Sequence, residues 1–184
     1  MDETYIHKRR LFFSWQDEKQ EAWLGEMSRQ GLHLKEPGLF GSFLFVKGSV
    51  QEYSYRLDYN QGKQPEDYLQ LILDTGWEHL GRRGGWHYWR KGIQGDQMPE
   101  LFTDPESKIQ KYQRLLASYI ASTPGVSVMY VIGVAVFKKF PGRHPLWFVI
   151  LFISLFVAWI AFAAFNAVKI RVRINELKQK KTCE

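Results

Sequence analysis

A period of two runs through Arg9, Leu11, Phe13 and Trp15. It is cleaner in EYSYRLDY, where Tyr53, Tyr55, Leu57 and Tyr59 fall on one side and Glu52, Ser54, Arg56 and Asp58 on the other. Such alternation predicts two strands, each with one buried face. After each strand the spacing becomes helical. DEKQEAWLGEMSRQG carries Ala22, Trp23 and Met27 on one stripe and stops at Gly31, while PEDYLQLILDTG carries Tyr68, Leu69, Ile72 and Leu73 and stops at Gly76. Trp23, Leu24 and Gly31 keep the same offsets as Tyr68, Leu69 and Gly76. Beyond each glycine come a short apolar strand, a Gly-containing turn, an aromatic-rich strand and Lys-Gly. Each half therefore reads β-α-β-β, over residues 7–48 and 50–92. One unit alone cannot bury its sheet face. The two are expected to pair into a duplicated α+β domain over residues 1–100, an antiparallel sheet with its helices on one face.

Past GIQGDQMPEL, which reads as a linker, FTDPESKIQKYQRLL opens a helix with Thr103 as N-cap, Pro105 in the first turn and Glu106 closing a capping box. This connecting helix covers residues 101–116. Two uncharged stretches follow, 23 residues between Arg114 and Lys138 and 24 from Pro145 to Val168. At about 1.5 Å per helical residue each can cross a hydrocarbon core of ~30 Å, so membrane spans are expected at 117–137 and 145–168. Pro124 and Gly125 should kink the first or mark its entry into lipid. Trp147 suits the interface near the start of the second. Ser154 and Ala158, then Ala163 and Ala167, put small residues at four-residue spacing, suited to contact with the first span or with a second copy of the chain in a homo-oligomer. No Asp, Glu, Lys or Arg lies inside either span, which argues against an ion or proton path within one chain.

Charge sharpens the membrane reading. The 184 residues have a net charge of +6, yet residues 1–115 hold 16 Lys and Arg against 17 Asp and Glu, whereas residues 116–184 hold 9 against 2. The excess brackets the apolar stretches. It argues for membrane topology and against direct nucleic-acid binding. Lys138, Lys139 and Arg143 occupy the short link 138–144. Nine cations lie on the other side: Lys108, Lys111 and Arg114 before the first span, and Lys169, Arg171, Arg173, Lys178, Lys180 and Lys181 in the basic tail 169–184. The positive-inside rule then places both termini in the cytoplasm and the link outside the plasma membrane. The one cysteine, Cys183, allows no intrachain disulfide. The N-terminus, acidic first and with only a short apolar run, is not built like a signal peptide.

The blocks WLGEMSRQGLHL, EYSYRLDYN, YLQLILDTGWEHL, GGWHYWRK and LFTDPESKI, in this order and ahead of two apolar helices, resemble the bacterial membrane-protein family known as domain of unknown function 2812, over about residues 8–115. The family has no established activity or catalytic residues. Its members are often encoded beside PadR-like transcriptional regulators, so the resemblance implies a regulatory or stress-response setting, with a regulator or another membrane protein as partner.

No HExxH, GxSxG, GxxxxGK[ST] or helix-opening GxGxxG is present. The histidines at 7, 33, 79, 87 and 144 lack metal-ligand spacing. No enzyme, metal or cofactor is expected. GRRGGWHYWRK reads as a turn and half-buried strand, and Lys8, Arg9 and Arg10 as a solvated strand start facing the anionic inner leaflet. A helix-free sheet face would carry Phe12 and Ser14 from the first strand, Arg56 and Asp58 from the fourth, and His87 and Trp89 from the last. Aromatic groups beside an Arg and a carboxylate make a binding platform; equally, Arg56 and Asp58 could pair with each other and Trp89 be covered by the terminal helix. Two functions fit. One is a membrane-anchored interaction or sensory module for a protein partner. The other is an effector-binding domain for an amphipathic small molecule, by fold analogy with the duplicated units of some multidrug-responsive regulators. A flat face favours the first, and a deep aromatic cleft around a buried carboxylate the second.

Overall fold

A computed structural model of the chain describes residues 4–62, 66–93, 99–101, 105–139 and 146–182. They form two compact units, Met1–Lys111 and Tyr112–Glu184. The first contains β1 (Tyr5–Arg9), α1 (Asp17–Arg29), β2 (Leu32–Pro37) and β3 (Ser42–Lys47), then β4 (Tyr53–Tyr59), α2 (Glu66–Asp74), β5 (Glu78–Arg83) and β6 (Trp86–Gly92), and ends in the opening turns of α3 (Pro105–Lys139).

The α+β class and the β-α-β-β order of each half hold. The two halves also share finer detail. Their strands are ordered β1-β3-β2 and β4-β6-β5. The register slips between Leu34 and Glu36 in β2 and between His79 and Gly81 in β5, the same place in each repeat. Gly31 (φ +75°) and Gly76 (φ +84°) each stand two residues past the last helical residue, in the left-handed conformation that a side chain disfavours.

The strands make two antiparallel three-stranded ladders. The neighbouring edges are β2 and β5, where Arg83 Nε donates to the Pro37 carbonyl at 3.3 Å and Gly81 faces the Pro37 ring. Pro37 has no N–H to give and both edge strands are bulged, so the ladder does not continue across this seam.

The first strand lies earlier than its alternation predicts. Tyr5–Arg9 pairs with β3, and residues 10–16 are a connection closed by a turn in which the Gln16 N–H donates to the Phe13 carbonyl at 2.8 Å and Gln16 Oε1 accepts from the Phe13 N–H at 3.1 Å. Phe12 is thereby free to pack against Trp23 and Phe43.

α1 lies between the two sheets. Leu24 is wholly buried among Leu34, Phe43 and Phe45 of the first sheet and Tyr55, Leu57 and Tyr88 of the second. Each such side chain contributes roughly 1.5–3 kcal/mol by leaving water. α2 covers the other face of the second sheet, with Ile72 against Trp77 and Trp89.

In the second unit the rest of α3 meets α4 (Leu146–Thr182). Tyr130 stacks on Phe156 with ring centres 4.0 Å apart, and Phe137 packs on Phe148 at 5.8 Å. Higher numbers on one helix meet lower numbers on the other, so the pair is an antiparallel hairpin. Phe152 occupies the space a side chain at Gly133 would need, 2.5 Å from its Cβ position. Aromatic rings and Gly133 thus contribute to the contact; of the small residues, Ser154 and Ala158 are exposed, whereas Ala163 and Ala167 are half-buried. Both helices are long and apolar enough to cross a membrane. α3 runs unbroken through Pro124, and the basic tail continues α4 as helix to Thr182. The predicted cap Thr103, most of the link 138–144, Pro145 and Cys183 lie outside the described residues.

Candidate functional site

α1 begins at Asp17 and carries Asp17, Gln20 and Glu21 one turn apart, on the stripe that enters the domain interior. Burying carboxylates is costly without partners, and each of them finds one. Asp17 Oδ2 accepts from Lys111 Nζ at 2.6 Å, with side-chain exposures of 1% and 8%. Glu21 Oε1 accepts the Leu57 N–H at 2.7 Å, and Lys111 Nζ also donates to the Leu57 carbonyl at 3.2 Å. β4 is an edge strand, and these two side chains satisfy the peptide groups that no neighbouring strand takes up.

Burial is the largest influence on the Glu21 carboxyl. Lys111, the Leu57 N–H and Arg56 oppose it and Asp17 reinforces it, and the outcome is a rise from 4.5 to about 7. Burial also weakens the Lys111 ammonium, but Asp17 and Glu21 outweigh it and its pKa ends above the ordinary value.

From the other side Asp17 lines a cleft of about 250 Å3 between the two repeats. Phe12, Ser14 and Phe43 line it from the first repeat, and Gly84, Trp86 and Tyr88 from the β5–β6 hairpin. Gln20 Nε2 donates to Tyr88 Oη at 2.9 Å across its floor. Arg10 stands at the wall with its guanidinium over the Phe12 and Trp23 rings, 5.3 and 5.6 Å from their centres. The wall joins aromatic rings to the Arg10 guanidinium, the Ser14 hydroxyl, the Gln20–Tyr88 pair and the ion-paired Asp17. That composition holds an apolar body and orients a polar end.

The six residues expected on one platform divide. Phe12 and Ser14 line the cleft. Arg56, Asp58, His87 and Trp89 share a face of the second sheet, Arg56 opposite Trp89 and Asp58 opposite His87. That face is not helix-free. Trp89 is packed under Ile72 and Trp77, and Asp58 and His87 are buried. Arg56 is tied to the Tyr55 carbonyl at 2.9 Å, to Glu100 at 3.0 Å and to Glu21 at 3.7 Å. His87 Nδ1 lies 3.2 Å from His79 Nε2, and burial lowers the pKa of both rings. Among the described residues no three His, Cys, Asp or Glu side chains are grouped to hold a metal ion.

Sequence reasoning passed over Asp17, Gln20, Glu21 and Lys111. A signal existed on α1, where polar residues at i, i+3 and i+4 beside the apolar stripe mark a face too wide to be wholly apolar. Lys111 offered none, because it reads as one more cation before a span.

A duplicated α+β domain with a cleft between its repeats, followed by a hairpin of membrane-spanning length, defines the class. The chain belongs to the family described as Protein of unknown function (DUF2812), whose model matches residues 16–123, from the cap of α1 to the residue before Pro124. No curated protein and no solved structure matches the chain.

Proposed function

We propose that this is a membrane-tethered effector-binding domain whose cleft between the repeats takes an amphipathic small molecule. The observation that carries the reading is the cleft between the repeats, lined by Phe12, Phe43, Trp86 and Tyr88 together with Arg10 and Asp17. The face named for a protein partner gives that alternative less support, since Trp89 and Asp58 are core residues and Arg56 is committed to three partners. The regulatory setting implied by the family resemblance suits an effector-binding domain. Both termini are assigned to the cytoplasm. The support is the cation count, nine flanking the spans on the side of the termini against three in the link. Reporter fusions near Gly142 and at Glu184 test this arrangement; cytosolic activity at Gly142 with external activity at Glu184 would reverse it.

The test of the cleft is a thermal-shift screen of the full chain in zwitterionic nanodiscs against a panel of amphipathic aromatic compounds. It is paired with Ser14→Trp, which fills the cleft from its rim. A compound that raises Tm in the parent and not in Ser14→Trp supports the reading. A panel without any such compound, or shifts equal in the two proteins, rejects it.

A further inference from the structure

Two adjacent loops of the domain expose large apolar side chains beside three consecutive cations. The Arg10 N–H donates to the Gly41 carbonyl at 2.7 Å, Arg9 pairs with Ser42, and a Cβ at Gly41 would meet the Arg10 carbonyl oxygen at 2.5 Å. The connection after β1 and the β2–β3 turn are thus pressed together. The turn is closed by the Gly38 N–H to the Ser42 carbonyl at 2.8 Å and the Ser42 N–H to the Leu39 carbonyl at 3.0 Å. At its tip Phe40 is 90% exposed with φ +51°, the described non-glycine residue with positive φ. A bulky side chain in that conformation is costly where Asn or Gly would serve. Leu39 is 58% and Leu11 80% exposed. Lys8, Arg9 and Arg10 are exposed, and none of them has a carboxylate partner among the described residues.

Protection of an edge strand would account for cations on β1. It does not account for Leu39 and Phe40 held outward on a closed turn, with Leu11 exposed on the adjoining connection. Apolar tips rimmed by Lys and Arg match the bilayer interface, where acyl chains take the tips and acidic headgroups take the charges.

We infer that Leu11, Leu39 and Phe40, with Lys8, Arg9 and Arg10, form a docking surface for an anionic lipid bilayer. The tips enter the interface and the cations hold acidic headgroups. The surface lies in a chain that carries its own pair of helices of spanning length, so a bilayer is present at high local concentration.

The test uses the full chain with Cys183→Ser and one introduced cysteine carrying an environment-sensitive fluorophore, at Leu39 or at the exposed Leu71 on α2. It is reconstituted in nanodiscs of phosphatidylglycerol or phosphatidylcholine containing a headgroup-proximal spin-labelled lipid. Docking predicts a blue shift and quenching at position 39 in the anionic discs and not at position 71. Arg9→Glu with Arg10→Glu should abolish both signals, and so should Phe40→Asn, which suits the backbone conformation and so leaves the fold intact. In the parent, 1 M salt should weaken them, because exposed charges are screened over about 3 Å there. A fluorophore at position 39 that stays aqueous in anionic discs overturns the inference, as does equal quenching at positions 39 and 71. Quenching indifferent both to salt and to the charge reversal overturns it as well.

Discussion

Lys111 Nζ stands 2.6 Å from Asp17 Oδ2, joining the first residue of α1 to α3 across 94 residues of chain. The pair is buried, and the same carboxylate lines the cleft between the repeats. A group that borders the cleft is thus bonded directly to the helix that continues into the apolar segment.

Removing one partner should cost far more than removing both. Lys111→Met leaves the buried Asp17 carboxylate without its ammonium partner and strips a donor from the Leu57 carbonyl, so a loss of about 3–5 kcal/mol is expected. Adding Asp17→Asn should recover part of it. Denaturant titration of the four proteins of this double-mutant cycle measures the coupling.

Glu21 should make stability fall as pH rises. Its carboxyl is raised to about 7 in the fold against 4.5 in the free side chain. Below 4.5 both states are protonated and the group contributes nothing. Between 4.5 and 7 the unfolded chain releases a proton that the folded protein keeps, so stability declines, and above 7 the penalty is constant at up to roughly 3 kcal/mol. Glu21→Gln retains an acceptor for the Leu57 N–H and should flatten this slope while raising Tm above pH 7. Melting curves of parent and variant from pH 5 to 8 give the difference.

The two helix-ending glycines should differ in cost despite their equivalent places. At Gly76 an added Cβ meets only the Lys91 Cε at 3.7 Å, so Gly76→Ala pays for backbone conformation alone, about 1 kcal/mol. At Gly31 it lies 2.8 Å from the Gly48 carbonyl oxygen. Gly31→Ala should therefore destabilise more than Gly76→Ala in parallel denaturation, and equal losses would contradict the geometry.

Arg56→Ala and Trp89→Ala should act through stability. Trp89 is 2% exposed in the cluster with Ile72 and Trp77, and its truncation should cost about 3–5 kcal/mol. Arg56→Ala removes hydrogen bonds to Tyr55 and Glu100 and should cost on the order of 1–2 kcal/mol. Calorimetry of the full chain against its parent checks both.

Local and periodic features were legible without coordinates. Apolar spacing marked α1 and α2, the glycines after them and the strand at Tyr53–Tyr59, because each depends on contacts within a few residues or on one face repeated at fixed intervals. The family match and the two helices of spanning length follow from runs of residue types that need no partner to be recognised. What the fold alone decided concerns pairings between distant segments. Alternation at Leu11, Phe13 and Trp15 suggested a strand, yet main-chain pairing with β3 falls on Tyr5–Arg9, since hydrogen-bond register depends on the partner strand. Period two told the two faces of β4 apart but not which helix would cover each, and α2 closed the face expected to be open. The cleft and the Asp17–Lys111 pair exist only where residues far apart in the chain converge, and burial, reinforced by Asp17, raises the ordinary carboxyl of Glu21 to about 7.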